Sequence, residues 1–151
     1  MRYAHTNIVA ADWRRLVTFY EEVFGCKFLP PERDQAGDWL SVATGVPDAK
    51  LTGKHLLLPG HGETGPTLEI FSYDEMLEKH PPAANRKGLG HLAFEVDDVR
   101  ATLTRLLRAG GGKQGEVVEQ DIGGVGRITL VYAADPEGNI IELQSWERGE
   151  D

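Results

Sequence analysis

Residues 90–99, GHLAFEVDDV, combine a β-strand pattern, a histidine and a helix start in one short stretch. Apolar residues at positions 92, 94 and 96 alternate with His91, Ala93 and Glu95, which predicts a strand with one apolar face. Asp98 follows as a candidate N-cap of a helix. A histidine at the start of such a strand calls for a structural or chemical role.

The same arrangement occurs near the beginning of the chain, in residues 4–13, AHTNIVAADW. In both copies the capping aspartate, Asp12 or Asp98, follows the histidine by seven positions. Apolar residues then recur at helical spacing until a glycine, Gly25 or Gly110, which we expect to end each helix. One motif is therefore predicted to be used twice.

Short predicted strands follow each helix, so each half reads as strand, helix and three strands. In the second half a Gly123-Gly124 turn signal separates two of them. The first half carries an insertion, residues 31–50, which we expect to be a loop with a short helical turn at 39–43. The resulting prediction is one α+β domain, 1–151, with a first module at 1–74, a linker at 75–87 and a second module at 88–147.

Composition excludes several classes of partner. The 151 residues carry a formal net charge of −8, which argues against nucleic acid or an anionic membrane as partner. No apolar run approaches the roughly 20 residues that span a bilayer, and the N-terminus lacks a signal-peptide core. The single cysteine, Cys26, permits no internal disulfide and is expected to be a small semi-buried thiol. We therefore expect a cytoplasmic protein.

Two glutamates stand in the middle of apolar strands. Glu69 lies in residues 66–73, PTLEIFSY, and Glu142 lies in residues 139–146, NIIELQSW. Alternation directs both carboxylates to the face opposite their apolar neighbours. Because burial of an isolated charge is unfavourable by several kcal/mol, each carboxylate needs a partner.

Each half thus offers a histidine near the start of its first strand and a glutamate in its last strand. Taken singly, His5 or His91 would most simply be a hydrogen-bonded structural residue, and Glu69 or Glu142 could face solvent. As two pairs at repeat-related positions they predict one site for a divalent ion, Ni, Zn, Co, Mn or Fe, with positions left for substrate oxygens. We expect surface or loop roles for His61, His80 and His55, although His55 could line a pocket.

At these residues the chain resembles the vicinal oxygen chelate superfamily, which includes glyoxalase I, methylmalonyl-CoA epimerase, extradiol dioxygenases and bleomycin-resistance proteins. The resemblance rests on residues 5–28, 66–73, 90–99 and 135–146. It implies two βαβββ modules whose curled mixed sheets enclose a metal. It places His5, Glu69, His91 and Glu142 at the family's ligand positions, a set most similar to that of bacterial glyoxalase I.

Two residues depart from bacterial glyoxalase I. Val9 stands where that enzyme has an arginine that helps hold glutathione, and Tyr73 stands where it has an asparagine. The resemblance therefore leaves the cosubstrate open. It also implies a homodimer, without deciding whether one chain or two supply the four ligands.

The chemistry expected of this set is proton transfer at a carbon beside a metal-bound carbonyl, through an enolate or enediolate. A lyase or isomerase of glyoxalase type acting on a small molecule fits best, with Glu142 as the base and Glu69 as ligand and possible second base. The alternatives are an acyl-CoA epimerase, a dioxygenase or a metal-free drug binder. An epimerase would need basic residues for the CoA phosphates, for which the candidates are Arg14, Arg15, Arg86 and Lys87. A drug binder would need an aromatic pocket, for which the candidates are Trp39, Phe71, Tyr73 and Trp146.

Overall fold

Helices and two mixed β-sheets make up the computed structural model, which describes residues 1–148 and confirms the predicted α+β class. The chain forms two compact units, Met1–Lys79 and the residues from His80 onward. Each unit contains its own sheet with a helix packed against it. The repeat inferred from the sequence is therefore present in the structure.

The first unit begins with a strand and a helix and continues with three more strands and a second helix. The sheet order is β1-β4-β3-β2, with β1 parallel to β4 and the other neighbours antiparallel. The elements are β1 (His5–Val9), α1 (Trp13–Phe24), β2 (Lys27–Ala36), α2 (Asp38–Thr44), β3 (Lys50–Leu57) and β4 (Thr67–Tyr73).

The second unit repeats this topology with one strand divided. Its sheet runs β5-β9-β8, with β5 parallel to β9, and both β6 and β7 pair antiparallel with β8. The elements are β5 (Leu92–Glu95), α3 (Val99–Arg108), β6 (Gly112–Lys113), β7 (Val118–Ile122), β8 (Gly126–Ala134) and β9 (Ile140–Glu147).

Both predicted helix starts are confirmed. The Asp12 carboxylate accepts a hydrogen bond from the Arg15 backbone N–H at 3.1 Å, and Asp98 accepts one from the Ala101 N–H at 2.9 Å. Each bond satisfies one of the N–H groups that a helix leaves unpaired at its first turn. Gly25 caps α1 in the left-handed conformation, as predicted, whereas α3 ends at Arg108 and reaches the left-handed Gly110 two residues later.

The core of the first unit lies between α1 and one face of its sheet. Leu16 and Tyr20 of α1 are fully buried, as are Leu56, Leu68 and Ile70 of β3 and β4. The Trp13 indole N–H donates to the Thr52 hydroxyl at 2.9 Å, which fixes the start of the helix to β3. The opposite face of the sheet is left to the polar residues described below.

The inserted segment contains the helical turn expected at 39–43, as helix α2, but its first residues form strand rather than loop. Strand β2 continues to Ala36, and α2 covers Asp38–Thr44, so the loop begins only after a strand and a helix. The β2–β3 ladder is irregular between Leu29 and Arg33, where Pro30 and Pro31 have no N–H to donate. Because of this interruption and the polar residues that follow it, the sequence pattern does not indicate a strand beyond Pro31. The sequence pattern likewise gives no indication of the two-residue strand β6.

Residues 74–91, between the last strand of one unit and the first of the other, contain neither helix nor strand. Among the described residues, no helix has the length and apolar character needed to cross a lipid bilayer.

Candidate functional site

In the first unit a histidine and a glutamate meet on the sheet face opposite α1. The parallel ladder pairs Asn7 with Glu69, which places His5 two residues away along β1 on the same face. His5 Nε2 lies 3.2 Å from Glu69 Oε2. The neighbours of Glu69 in β4, Leu68 and Ile70, are buried against the core, so alternation directs the carboxylate away from it.

The second unit holds an equivalent pair. The ladder pairs Ala93 with Glu142, and His91 again lies two residues before the paired position. His91 Nε2 lies 2.9 Å from Glu142 Oε2. All four residues singled out in the sequence therefore take part in a close pair within their own unit, at matching register positions.

Each glutamate also has a cross-strand neighbour in the antiparallel strand beside it, β3 or β8. In β3 the residue opposite Glu69 is His55, and in β8 the residue opposite Glu142 is Tyr132. His55 Nε2 lies 2.8 Å from Glu69 Oε1, whereas the Tyr132 ring packs at 4.8 Å, centroid to centroid, against the ring of His91. The two units thus use different side chains beside their glutamates.

His55 is not the surface or loop residue that the sequence suggested. Its side chain is 14% exposed, its Nδ1 lies 3.2 Å from the Thr67 hydroxyl, and its ring stands edge-on to that of His5. His61 and His80 are exposed and lie outside helices and strands, as expected. The repeat gave no sign of His55, because the matching residue is not a histidine.

Burial shifts the protonation of this cluster. It lowers the pKa of His55 from 6.5 to about 4, with smaller contributions from Arg33 and His5, so His55 is neutral near pH 7. Burial also raises the pKa of Glu69. The positive charges of His5 and Arg33 lower it, but by less than burial raises it. Arg33 lies in β2 opposite Gly53, two ladder rows from that of His55 and Glu69.

A turn held by Asp135 precedes β9, the strand that carries Glu142. The Asp135 carboxylate accepts hydrogen bonds from the backbone N–H groups of Glu137 and Asn139, both at 2.9 Å, and from the Asn139 side-chain amide at 2.8 Å. Asp135 is buried, and Gly138 supplies a positive φ within the turn. These hydrogen bonds and the positive φ give structural roles to the aspartate, the glycine and the asparagine of residues 135–139, DPEGN.

The basic and aromatic side chains named above for the alternative functions, and Cys26, lie in varied environments. Arg14 lies over the Trp13 ring and 3.9 Å from Glu32, and Phe71 and Tyr73 pack with α2. Trp39 is exposed, and the Trp146 indole N–H donates to Gln144 at 3.0 Å. Cys26 is buried, and burial, together with the charge of Glu21, raises its pKa to about 12, so the thiol stays protonated.

The two histidine–glutamate pairs have the chemistry of metal ligands. Imidazole nitrogen and carboxylate oxygen are donor types that divalent ions of the first transition row bind. The separations of 3.2 and 2.9 Å are those of direct contacts between the two side chains of each pair. Within residues 1–148 no group of three or more His, Cys, Asp or Glu side chains is arranged as a metal site, so each pair offers two donors.

A protein-family model named Glyoxalase/Bleomycin resistance protein/Dioxygenase superfamily matches residues 2–143. The chain belongs to this superfamily. This membership confirms the resemblance inferred from the sequence motifs.

Among the relatives of this superfamily member, a probable chloroplastic lactoylglutathione lyase of Arabidopsis thaliana is 31% identical over 98% of the chain. The chain spans only 36% of that protein's length. Lactoylglutathione lyase of Haemophilus influenzae is 26% identical, with 95% of the chain and 91% of the relative covered. In fold, the chain is similar to a glyoxalase family protein of Bacillus cereus, with a TM-score of 0.75, 21% identity and coverage of 97% and 93%.

Proposed function

We propose that this superfamily member is a divalent-metal-dependent enzyme of glyoxalase type, a lyase or isomerase that moves a proton at a carbon beside a carbonyl. The observation that carries the proposal is the pair of register-matched His–Glu contacts, His5 with Glu69 and His91 with Glu142. The relatives named lactoylglutathione lyase support the same reaction class.

In this proposal His5, Glu69, His91 and Glu142 hold one divalent ion, whose identity among Ni, Zn, Co, Mn and Fe stays open. Four nitrogen and oxygen donors suit these ions and fill only part of an octahedral shell. When bound, a divalent ion would stabilise negative charge that develops on a carbonyl oxygen, by several kcal/mol. We propose further that the protein acts as a homodimer on a small-molecule substrate, with the ligands drawn from one chain or from two.

Glu142 is the base in this proposal. Its Oε2 lies 2.9 Å from His91 Nε2, and within the described residues no other side chain is hydrogen-bonded or ion-paired to this carboxylate, so its second oxygen can take a proton from the substrate and return it. Glu69 is bound on both oxygens, by His5 and by His55. Its carboxylate is therefore better suited to serve as a fixed ligand.

The test compares Glu142→Gln with Glu147→Gln, a control in the same strand whose side chain points to the opposite face. Each protein is loaded with metal and assayed with hemithioacetals of methylglyoxal with glutathione and with other thiols, and with acyl-CoA epimers. We expect Glu142→Gln to lose about 100-fold or more in turnover per bound metal, and Glu147→Gln to match the wild type.

Full turnover by metal-loaded Glu142→Gln would refute the assignment of the base. A wild-type protein that neither retains nor gains stoichiometric metal would refute the metal-dependent reaction and favour a small-molecule binder. Turnover that requires iron and oxygen, and stops under anaerobic conditions, would favour a dioxygenase.

A further inference from the structure

His55 lies opposite Glu69 in the ladder and contacts Oε1 of the carboxylate, whereas His5 contacts Oε2. The distance from His55 Nε2 to Glu69 Oε1 is 2.8 Å, and that from His5 Nε2 to Glu69 Oε2 is 3.2 Å. The two oxygens of this carboxylate therefore have different neighbours. One faces the histidine proposed as a metal ligand, and the other is held from the neighbouring strand.

The contacts of His55 determine which of its nitrogens carries the proton. A carboxylate can only accept a hydrogen bond, so the N–H of the neutral imidazole lies on Nε2, toward Glu69. Nδ1 is then an acceptor, and the Thr67 hydroxyl, 3.2 Å away, donates to it. The Phe71 ring, 5.7 Å from the His55 ring between centroids, packs against the imidazole. Both ring nitrogens are thus satisfied in one orientation of the ring.

The second unit has no such arrangement at the same register position. Tyr132, opposite Glu142, packs its ring against His91 instead of bonding to the carboxylate in any contact of the described residues. Glu142 therefore keeps one oxygen available where Glu69 does not. Since the backbone positions match, the difference arises from the side chains on β3 and β8.

We infer that His55 is a positioning residue, which holds Oε1 of Glu69 so that only Oε2 is presented to a metal ion. This inference rests on the proposed function. It explains how a duplicated fold can give its two glutamates different roles, with Glu69 as a one-oxygen ligand and Glu142 as the proton-transferring group. Loss of the His55 N–H would free Glu69 to rotate or to bind through both oxygens.

The experiment measures binding of Co²⁺ to the full-length protein by competition with a chelator, and records the visible absorption of the bound ion. The variants are His55→Ala, His55→Gln, whose amide N–H can still donate to Oε1, and Thr67→Val, which removes the hydroxyl that orients the ring. His61→Gln serves as the control, because His61 is an exposed histidine outside helices and strands.

We expect His55→Ala to weaken Co²⁺ binding by about 10- to 100-fold and to change the absorption spectrum. Thr67→Val is expected to weaken binding less, His55→Gln to restore most of the affinity, and His61→Gln to match the wild type. Rescue by glutamine distinguishes hydrogen bonding from simple packing of the ring.

Other outcomes would overturn the inference in distinguishable ways. Wild-type protein that binds no Co²⁺ would refute the proposed function and the inference with it. Wild-type binding with unchanged affinity and spectrum in His55→Ala would refute the inference alone. Equal losses in His55→Ala and His55→Gln would also refute it, and would indicate that the imidazole itself is a ligand. If His55→Ala does not fold, the other two variants decide. The inference would be overturned if Thr67→Val bound Co²⁺ with wild-type affinity while His55→Gln bound it more weakly than the wild type.

Discussion

His55 and Glu69 place two ionisable groups in contact where burial opposes charge on both. The pKa of His55 is lowered to about 4, and that of Glu69 is raised. Near neutral pH the imidazole is uncharged, and its Nε2 lies 2.8 Å from the Glu69 carboxylate, within hydrogen-bond distance. The cluster thus depends on a neutral histidine.

A pH dependence of stability follows from the lowered pKa. In the unfolded chain His55 takes up a proton near pH 6.5, whereas in the folded protein it stays neutral until about pH 4. Between these values the unfolded state binds more protons, so stability falls as the pH is lowered. At about 1.4 kcal/mol per pKa unit, His55 contributes a loss of up to roughly 3 kcal/mol over this range. The raised pKa of Glu69 acts in the opposite sense and reduces the loss.

Urea unfolding of metal-free protein at pH 7 and at about pH 4.5 measures this effect, with His55→Gln as the comparison because glutamine does not titrate. We expect the wild type to lose more stability than His55→Gln between the two pH values. Equal losses in the two proteins would contradict the assignment of a buried neutral histidine.

The sequence predicted some of these residues and not others, for a physical reason. Glu69 and Glu142 were recognisable because a carboxylate interrupts an apolar strand, and His5 and His91 because they recur. His55 has the same register position as Tyr132, but the loops before the last strands, residues 58–66 and 135–139, differ in length. Without the pairing of the strands, the two positions cannot be matched by counting.

At the scale of the elements, β3 passes very close to β4 at Gly53. A Cβ at this position would overlap the Ile70 carbonyl oxygen and lie 2.5 Å from Cδ1 of Phe71, whose ring neighbours His55. Because the oxygen belongs to a paired strand, it cannot move away without disturbing the ladder. Glycine here allows the two strands to approach beside the candidate site.

Gly53→Ala is therefore expected to destabilise the protein by about 3 kcal/mol, at the upper end of overpacking effects. Chemical denaturation measures the change in the free energy of unfolding. Gly123→Ala is the control, since a Cβ there meets nothing within 4 Å and its φ is not positive. We expect that control to change stability by less than about 0.5 kcal/mol. Similar stabilities for the two variants would contradict the close approach.

The β8–β9 turn gives a second prediction at this scale. Removal of the buried Asp135 carboxylate takes away an acceptor used by the N–H groups of Glu137 and Asn139. We expect Asp135→Ala to destabilise the protein by about 2–4 kcal/mol, as measured by denaturation, because these are hydrogen bonds to a charged group. Asp74→Ala, at an exposed position, is the control. A stability loss no greater than that of the control would show that the turn does not depend on Asp135.

The elements themselves were largely predictable. Helix caps at Asp12 and Asp98 and alternation in β4 and β9 are local signals, and the structure has all four features. Strand β2 beyond Pro31 and the two-residue β6 exist mainly because a neighbouring strand supplies hydrogen bonds. Such pairing depends on residues distant in sequence, which local propensity does not report.

At the scale of the whole molecule, the duplication divides the candidate ligands equally between the two units. The first unit holds His5 with Glu69, and the second holds His91 with Glu142. Two donors are fewer than a divalent ion of this class takes from a protein that binds it stably. The proposed four-ligand site therefore predicts that each unit is necessary for metal binding.

Loss of a ligand in either unit is accordingly expected to remove the metal. We expect His5→Ala and His91→Ala each to weaken metal binding by more than about tenfold, which is a loss of more than 1.4 kcal/mol, and to lose their metal on dialysis against a chelator that leaves the wild type loaded. His61→Ala should retain wild-type content. Metal retained by one of the two variants would place the ion within a single unit and contradict the four-ligand proposal. Mixing the two variants then identifies the source of the ligands: if they come from two chains of a symmetric dimer, about a quarter of the sites regain an intact set, whereas ligands from one chain give no recovery.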